Sequence, residues 1–348
     1  MCLLSPLVKT VEFDFSRRDV SMMRSYAIAM SVGLWAVAQA DAQAEKPPAS
    51  LTAQIKASWQ ARERKFKSVE MKWTSVETFY KGGISASLPS GTESKLAIQP
   101  PEDTTFNVSY DFKLEGNKTR LEWHGWQWYT SEGRFNKTRW LTVYDGRETR
   151  ECHLEREGEQ RWPEGIVTEK FKFSSASQVF MLPVCLFFRP VSSEFKPLNI
   201  ASYRPVGNAR IRNYECAALQ NDLGLSSTRI WIDPKRDSLV VRRSSYSQGK
   251  LALQIDIGYG EDAKWGWVPV SWTVTSMRRD GVVSELLRVK VDLLNINDLA
   301  DKTDFELVFP PGSIVNDTTN NSKWIVNDSG TKWIIPPRSI LQTSRTRI

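Results

Sequence analysis

The apolar positions of this chain change their spacing as it proceeds, and each change predicts an element. Tyr26 to Ala38 is an uncharged apolar run. Further on, Leu51, Ile55, Trp59 and Phe66 recur at intervals of four, four and seven. That spacing places them on one face of a helix. Arg62, Glu63, Arg64 and Lys65 make its other side polar, and Ser50 stands where a side chain caps a helix start. The interval then falls to two. Val69, Met71 and Trp73 alternate with Glu70, Lys72 and Thr74, as in a half-buried strand.

Beyond this point strands dominate. Gly82 to Pro101 is rich in Gly, Ser and Pro and reads as a long loop. Phe106, Val108 and Tyr110 alternate, as do Leu121 with Trp123 and Trp126 with Trp128. Asp145-Gly146 between two extended runs predicts a type I′ hairpin. Ile230-Trp231-Ile232, then Asp233-Pro234-Lys235-Arg236-Asp237, then Leu239-Val240-Val241 reads as strand, turn, strand. Val268, Val270, Trp272 and Val274 are expected on one face. So are Leu287, Val289, Val291 and Leu293, with Arg288, Lys290 and Asp292 opposite. Such alternation predicts a mainly β fold, an antiparallel sheet with one wet side. Residues 160–200, with Phe171, Phe173, Phe180, Phe187 and Phe188, fit a short helix or apolar insert as well as strands.

The early apolar run changes the picture. Met22-Met23-Arg24 precedes it, and Ala42-Gln43-Ala44 follows with the small-x-small pattern of a cleavage site. This is the layout of a bacterial secretory signal, too short in its apolar part to span a bilayer stably. The mature chain is expected to begin at Glu45, in the periplasm or outside the cell. Residues 1–21 read as an over-extended start; a twin-arginine signal at Ser16-Arg17-Arg18 is the alternative.

Removing 44 residues from 348 leaves 304, enough for one large β domain or two smaller ones. The removed segment carries as many acidic as basic residues, so the formal charge stays at +7. That balance favours anionic surroundings such as envelope phospholipid or an acidic polymer, and export disfavours nucleic acid. Cys152, Cys185 and Cys216 remain. Export permits one disulfide among them; small buried hydrophobes are the other reading.

No G-x-S-x-G, Walker loop, G-x-G-x-x-G or H-E-x-x-H is present. The two histidines, His124 and His153, cannot make a three-histidine metal site. Carboxylate pairs such as Asp304 with Glu306, or Glu261 with Asp262, arise readily by chance in a chain with 40 acidic residues. No catalytic residue, metal or cofactor is assigned. The strongest anomaly is Leu121 to Tyr129, LEWHGWQWY. A β-bulge at Gly125 would bring Leu121, Trp123, Trp126 and Trp128 onto one surface, as a platform for an acyl chain or sugar ring or as core beneath the sheet. Trp265-Gly266-Trp267 repeats the theme. Leu121, Trp123, Trp126, Trp128, Trp265 and Trp267 are therefore the candidate ligand-binding residues.

The tryptophan-bearing helix after the signal, the strand Val69 to Thr78, the unit Trp231-Ile232-Asp233-Pro234 with Leu239-Val240-Val241-Arg242, and the end Phe305 to Val315 together resemble the LolA/LolB-like superfamily of lipoprotein carriers. The resemblance covers roughly residues 50–316. No ligand-contacting residue of that superfamily transfers to a position here. The resemblance implies a large curved antiparallel sheet, a half-barrel, with the N-terminal helix on its concave face and an apolar cavity between them. The expected division is residues 1–44 as extension and signal, 45–316 as one half-barrel domain, and 317–348 as a C-terminal strand and tail. The expected function is a non-enzymatic envelope protein that binds or carries a lipid or lipoprotein acyl chain, with peripheral membrane contact allowed. A carbohydrate-binding or glycan-active protein, and a structural envelope protein that binds protein partners, are the alternatives.

Overall fold

The computed structural model describes residues 49–83, 100–129, 132–156, 163–171, 175–195, 198–299 and 305–335. The export signal, its cleavage site and most of the Gly82–Pro101 loop lie outside the described residues.

The helix α1 spans Ala49–Lys65. It starts one residue before Ser50, which lies in its first turn. Five strands follow: β1 (Ser68–Phe79), β2 (Thr104–Glu115), β3 (Lys118–Tyr129), β4 (Arg134–Tyr144) and β5 (Glu148–Arg156). Then come β6 (Glu164–Glu169) and α2 (Ser175–Phe188), so the ambiguous region holds both a strand and a helix. Seven strands run from β7 (Arg204–Ile211) through β8 (Tyr214–Leu223), β9 (Ser226–Asp233), β10 (Leu239–Ser247), β11 (Lys250–Asp262) and β12 (Gly266–Met277) to β13 (Val283–Ile296). The last strands are β14 (Ile314–Asp317), β15 (Ser322–Val326) and β16 (Lys332–Ile335).

All sixteen strands belong to one open, curved sheet, in the order β16-β15-β14-β6-β5-β4-β3-β2-β1-β13-β12-β11-β10-β9-β8-β7. Every pairing is antiparallel except β14 with β6. Both helices lie on the concave face. Ile55 and Trp59 of α1 are fully buried there, with Phe66 beside them and Met181, Val184, Leu186, Phe187 and Phe188 of α2 in the same core.

The docking of α1 is specific as well as apolar. The β9–β10 turn holds Asp237 at φ +49° and Ser238 at +54°, a left-handed backbone that non-glycine residues rarely adopt. Three side chains of α1 grip that turn. Ser58 Oγ donates to the Asp237 carbonyl at 2.7 Å, Arg62 donates to the same oxygen, and Trp59 Nε1 donates to the Ser238 carbonyl at 2.7 Å. From the strand side, Asp233 accepts from the Lys235 amide at 2.9 Å and from Arg236 at 2.6 Å. The strand–turn–strand unit read in the sequence is thus the socket for the helix.

A second cluster joins Leu141, Val143, Cys152 and Val167 to Phe305, Leu307, Phe309, Val315 and Trp324. A third gathers Tyr214, Cys216, Trp231 and Val241. The three cysteines fall one to each cluster and are free and buried, so the disulfide does not form. Burial pushes the thiols of Cys152 and Cys185 up to about 12.

Three local expectations are corrected. The Asp145-Gly146 turn has a positive φ at Gly146 and none at Asp145, so it is not type I′. Instead the Asp145 carboxylate accepts from the amides of Arg147 and Glu148, closing the turn with its own side chain. Val270 does not join Val268, Trp272 and Val274 in the core. Pairing skips from Gly258↔Ser271 to Tyr259↔Pro269, which leaves Val270 as an extra residue, 42% exposed. Leu293 leaves the face of Val289 in the same way. Pairing skips from Trp73↔Val291 to Lys72↔Leu293, so Asp292 is the extra residue and Leu293 turns outward.

Candidate functional site

Strand register arranges the concave face in rows. One row crosses the sheet as Phe106, Glu77, Leu287, Val274, Ile255, Arg243, Ile230 and Leu219. Leu287, Val274 and Ile255 form an apolar band with one ionisable group at each end. Glu77 and Arg243 stand four strand spacings apart, about 19 Å. The adjacent row runs Phe79, Glu285, Ser276, Leu253, Ser245, Thr228 and Asn221. These residues are mostly polar. The concave face therefore grades from apolar to polar over one residue pair along the strands.

Glu77 is 1% exposed. Tyr110 Oη donates to its Oε1 at 2.6 Å and Ser75 Oγ donates to the same atom at 3.2 Å. Burial pushes the carboxyl up to about 7, against the lowering effect of the Tyr110 hydrogen bond, and the neighbouring Glu285 adds to the rise. Burial raises Glu285 too, with Ser276 Oγ donating to it at 3.4 Å. Tyr110 stacks on Trp73 at 5.1 Å between ring centres, and Trp73 meets Trp272 edge-on at 5.3 Å. The indole nitrogens of Trp73 and Trp272 are buried without a hydrogen-bond partner.

Arg243 lies between Ile230 and Ile255. The side chain is half-buried; its Nε is buried without a partner among the described residues, and no carboxylate among them pairs with it. Burial draws its pKa below the usual guanidinium value, and the nearby Tyr203 opposes that. A cation left unpaired among aliphatic side chains is costly, which is why most such groups carry a partner. Arg243 faces inward because of a bulge: Val240 pairs with Ile232 and Arg242 with Trp231, so Val241 is the extra residue.

The bulge expected to bring Leu121, Trp123, Trp126 and Trp128 onto one face is absent. The β3–β4 register runs unbroken from Thr119↔Tyr144 to Tyr129↔Arg134, so Gly125 sits in a regular ladder and hosts no bulge. Leu121 and Trp123 face the concave side, where Leu121 is buried and Trp123 stacks with Phe180 at 6.5 Å. Trp126 and Trp128 have the opposite parity. The glycine is there for a different reason. A Cβ at Gly125 would lie 2.6 Å from Trp123 Nε1, because that indole folds flat over the residue. Pairing of β2 with β3 stops after Ser109↔His124, and aromatic rings fill the gap that follows. Trp126 stacks on Phe106 at 4.9 Å, and Phe135 meets Phe106 at 4.7 Å and Trp128 at 4.8 Å. Trp265 packs on Phe66 at 6.0 Å. Trp267 lies under the Arg236 guanidinium at 5.0 Å.

Glu77, Glu285, Tyr110, Arg243 and the Trp73–Trp272 pair are what the sequence reading missed. For Glu77 a signal existed: the alternation Val69, Met71, Trp73 continues to Ser75 and Glu77, so parity alone aims a carboxylate inward. Arg243 had none, because the bulge at Val241 reverses the parity that Leu239-Val240-Val241 suggests.

No protein-family model matches this chain. No curated protein matches it. Among solved structures, a DUF1329 family protein from Desulfovibrio piger is similar at 12% identity, covering 73% of this chain and 97% of that one, with a TM-score of 0.35. A LolA superfamily protein from Nitrosomonas europaea is similar at 10% identity, covering 72% and 97%, with a TM-score of 0.38. MucB in complex with MucA(peri) is similar at 10% identity, covering 72% and 100%, with a TM-score of 0.18.

Proposed function

We propose that this protein is an exported, non-enzymatic carrier that binds an anionic amphiphile across the concave face of its sheet. The observation that carries the reading is the row from Glu77 to Arg243. An acyl chain matches the band of Leu287, Val274 and Ile255, and an anionic head supplies the partner that Arg243 lacks. The orphan indole donors of Trp73 and Trp272 give the same face further capacity for oxygen atoms. α2 packs against β12, which carries Val274, and against β10, which carries Arg243, so a ligand reaches this row as α2 lifts. Pro183 inside α2 removes one of that helix's backbone bonds.

The test uses a brominated long-chain fatty acid, whose bromines quench nearby indoles. Saturable quenching of Trp73 and Trp272 is expected, with Arg243→Met weakening it at least tenfold. A brominated fatty alcohol of equal length should bind alike to both proteins. Unsaturable quenching, or equal affinity of the two proteins for the acid, would overturn the proposal. Binding of a soluble glycan without any response to the fatty acid would move the reading to carbohydrate.

A further inference from the structure

The ladder between β12 and β13 comes apart. It runs from Met277↔Val283 to Ser271↔Lys290 and ends there, although β12 begins at Gly266 and β13 continues to Ile296. Past that point Gly266–Pro269 pair only with β11, and Val291 with Leu293–Ile296 pair only with β1. Two causes are visible. Pro269 has no amide hydrogen to give to β13. The extra residues Val270 and Asp292 bulge on opposite strands at the point of separation, and bulges bend the strands that carry them.

The fork encloses a cleft of about 210 Å³, lined from both strands by Val268, Pro269, Val270, Val291, Leu293 and Leu294, with Asp262 and Asp292 as its ionisable groups. Val270 is 42% and Leu293 37% exposed, so two apolar side chains flank it in the open. The β2–β3 ladder opens in a similar way, but there Phe106, Trp126 and Phe135 plug the gap. At the β12–β13 fork Trp265 is the one aromatic residue in the lining, and the cleft stays open with Val270 and Leu293 exposed.

We propose that this fork is a docking site for an extended peptide segment of a partner protein, one that adds to the free edge of β13 at Val291–Asn295. The walls of the cleft carry main-chain N–H and C=O groups that β12 and β13 do not exchange. An acyl chain cannot pair with such groups, whereas an extended peptide can. Leu293 and Val270 call for apolar residues at alternate positions of the segment. Asp262 already accepts from the amides of Lys264 and Trp265 and has Lys264 and Lys65 beside it, so it is Asp292 that calls for a lysine or arginine on the segment. Docking here is independent of ligand binding on the concave face.

A library of random nine-residue peptides displayed on phage tests it, panned on the whole protein. Enriched sequences should alternate apolar and polar residues and carry at least one basic residue. The best of them, labelled with fluorescein, should lose at least tenfold in affinity for the double variant V270K/L293K and keep its affinity for V282K, an exposed valine outside the cleft. N-methylation of alternate peptide amides should abolish binding on one register and spare it on the other. Because that change is made in the peptide, it does not depend on how the variants fold. Absence of enrichment overturns the proposal. So does binding that ignores V270K/L293K, or that survives N-methylation in both registers.

Discussion

Replacing Glu77 by glutamine should remove most of a pH dependence that the buried carboxyl imposes on stability. The native state holds this group at about 7 against an ordinary 4.5. Below pH 4.5 both folded and unfolded chains are protonated, and the stabilising effect of the bound proton is fully present. Between 4.5 and about 7 the folded chain keeps a proton that the unfolded chain has released, so stability falls as pH rises. Above that interval both states are ionised and the loss is complete. One pH unit across the interval is worth about 1.4 kcal/mol, which makes the whole loss about 3 kcal/mol. The carboxyl is almost fully buried, so solvent screening takes little from that figure.

The amide that replaces this carboxyl keeps an oxygen for Tyr110 Oη and does not ionise. Urea unfolding of both proteins at pH 5, 6, 7 and 8 should show the parent losing about 3 kcal/mol across the series relative to the Glu77→Gln variant. Glu285, also raised by burial, leaves a slope of the same sign in the variant. Parallel curves for the two proteins would refute the reasoning, because they would mean that Glu77 is ionised in the folded state or reaches water. A steeper curve for the variant would refute it equally.

Other outcomes follow from single contacts. Trp59→Ala should lower stability by about 3–5 kcal/mol, and Trp59→Phe, which keeps a ring but drops the bond to Ser238, by about 1–2 kcal/mol, both read by urea unfolding; a loss below about 1 kcal/mol for the alanine variant would mean α1 is not docked. Gly125→Ala should push the Trp123 indole off its seat, changing near-ultraviolet circular dichroism; an unchanged spectrum would show the indole is not folded over that residue. Arg243→Met should leave stability within about 1 kcal/mol of the parent while weakening the fatty acid, since the guanidinium removed is only half-buried and pairs with no carboxylate among the described residues; a larger loss in thermal unfolding would indicate that Arg243 holds a structural partner.

Much of the fold was legible, for reasons that differ by element. The face of α1 could be read because Ile55, Trp59 and Phe66 recur at helical spacing and that face meets the sheet. β1 and β2 could be read because both run without a break against each other, so parity holds from Ser68↔Glu115 to Phe79↔Thr104. The helix α2 could not be told from strands. It is apolar on all sides near its end, since Phe187 and Phe188 are both buried, and an all-apolar run has no period to detect. The face expected to join Leu121, Trp123, Trp126 and Trp128 required a bulge at Gly125, and glycine there answers to the Trp123 ring instead.

The bulges that do exist explain the remaining errors, and they connect the two proposals. An extra residue in one strand leaves no mark in composition, yet it reverses the facing of every residue after it. Val241 is such a residue, and its consequence is an arginine aimed into an apolar row. Val270 and Asp292 are two more, and their consequence is a fork with apolar side chains outside it. A sheet serving only as a core would favour unbroken parity at all three places, because continuing the alternation from Val240 would put Arg243 in water, and continuing it from Val291 would put Leu293 inside. In each case the bulge exchanges a comfortable placement for an exposed or unpaired group. Deleting Val241 separates the bulge from the facing it creates. The shortened strand would keep Val240↔Ile232, Arg242↔Trp231 and Arg243↔Ile230 as a regular ladder, so Arg243 would still point into the concave row. Fatty-acid affinity should then survive the deletion in a folded protein while Arg243→Met weakens it at least tenfold. If the deletion weakens the acid as much as Arg243→Met does, with circular dichroism unchanged, the bulge itself contributes the binding and the inward cation does not.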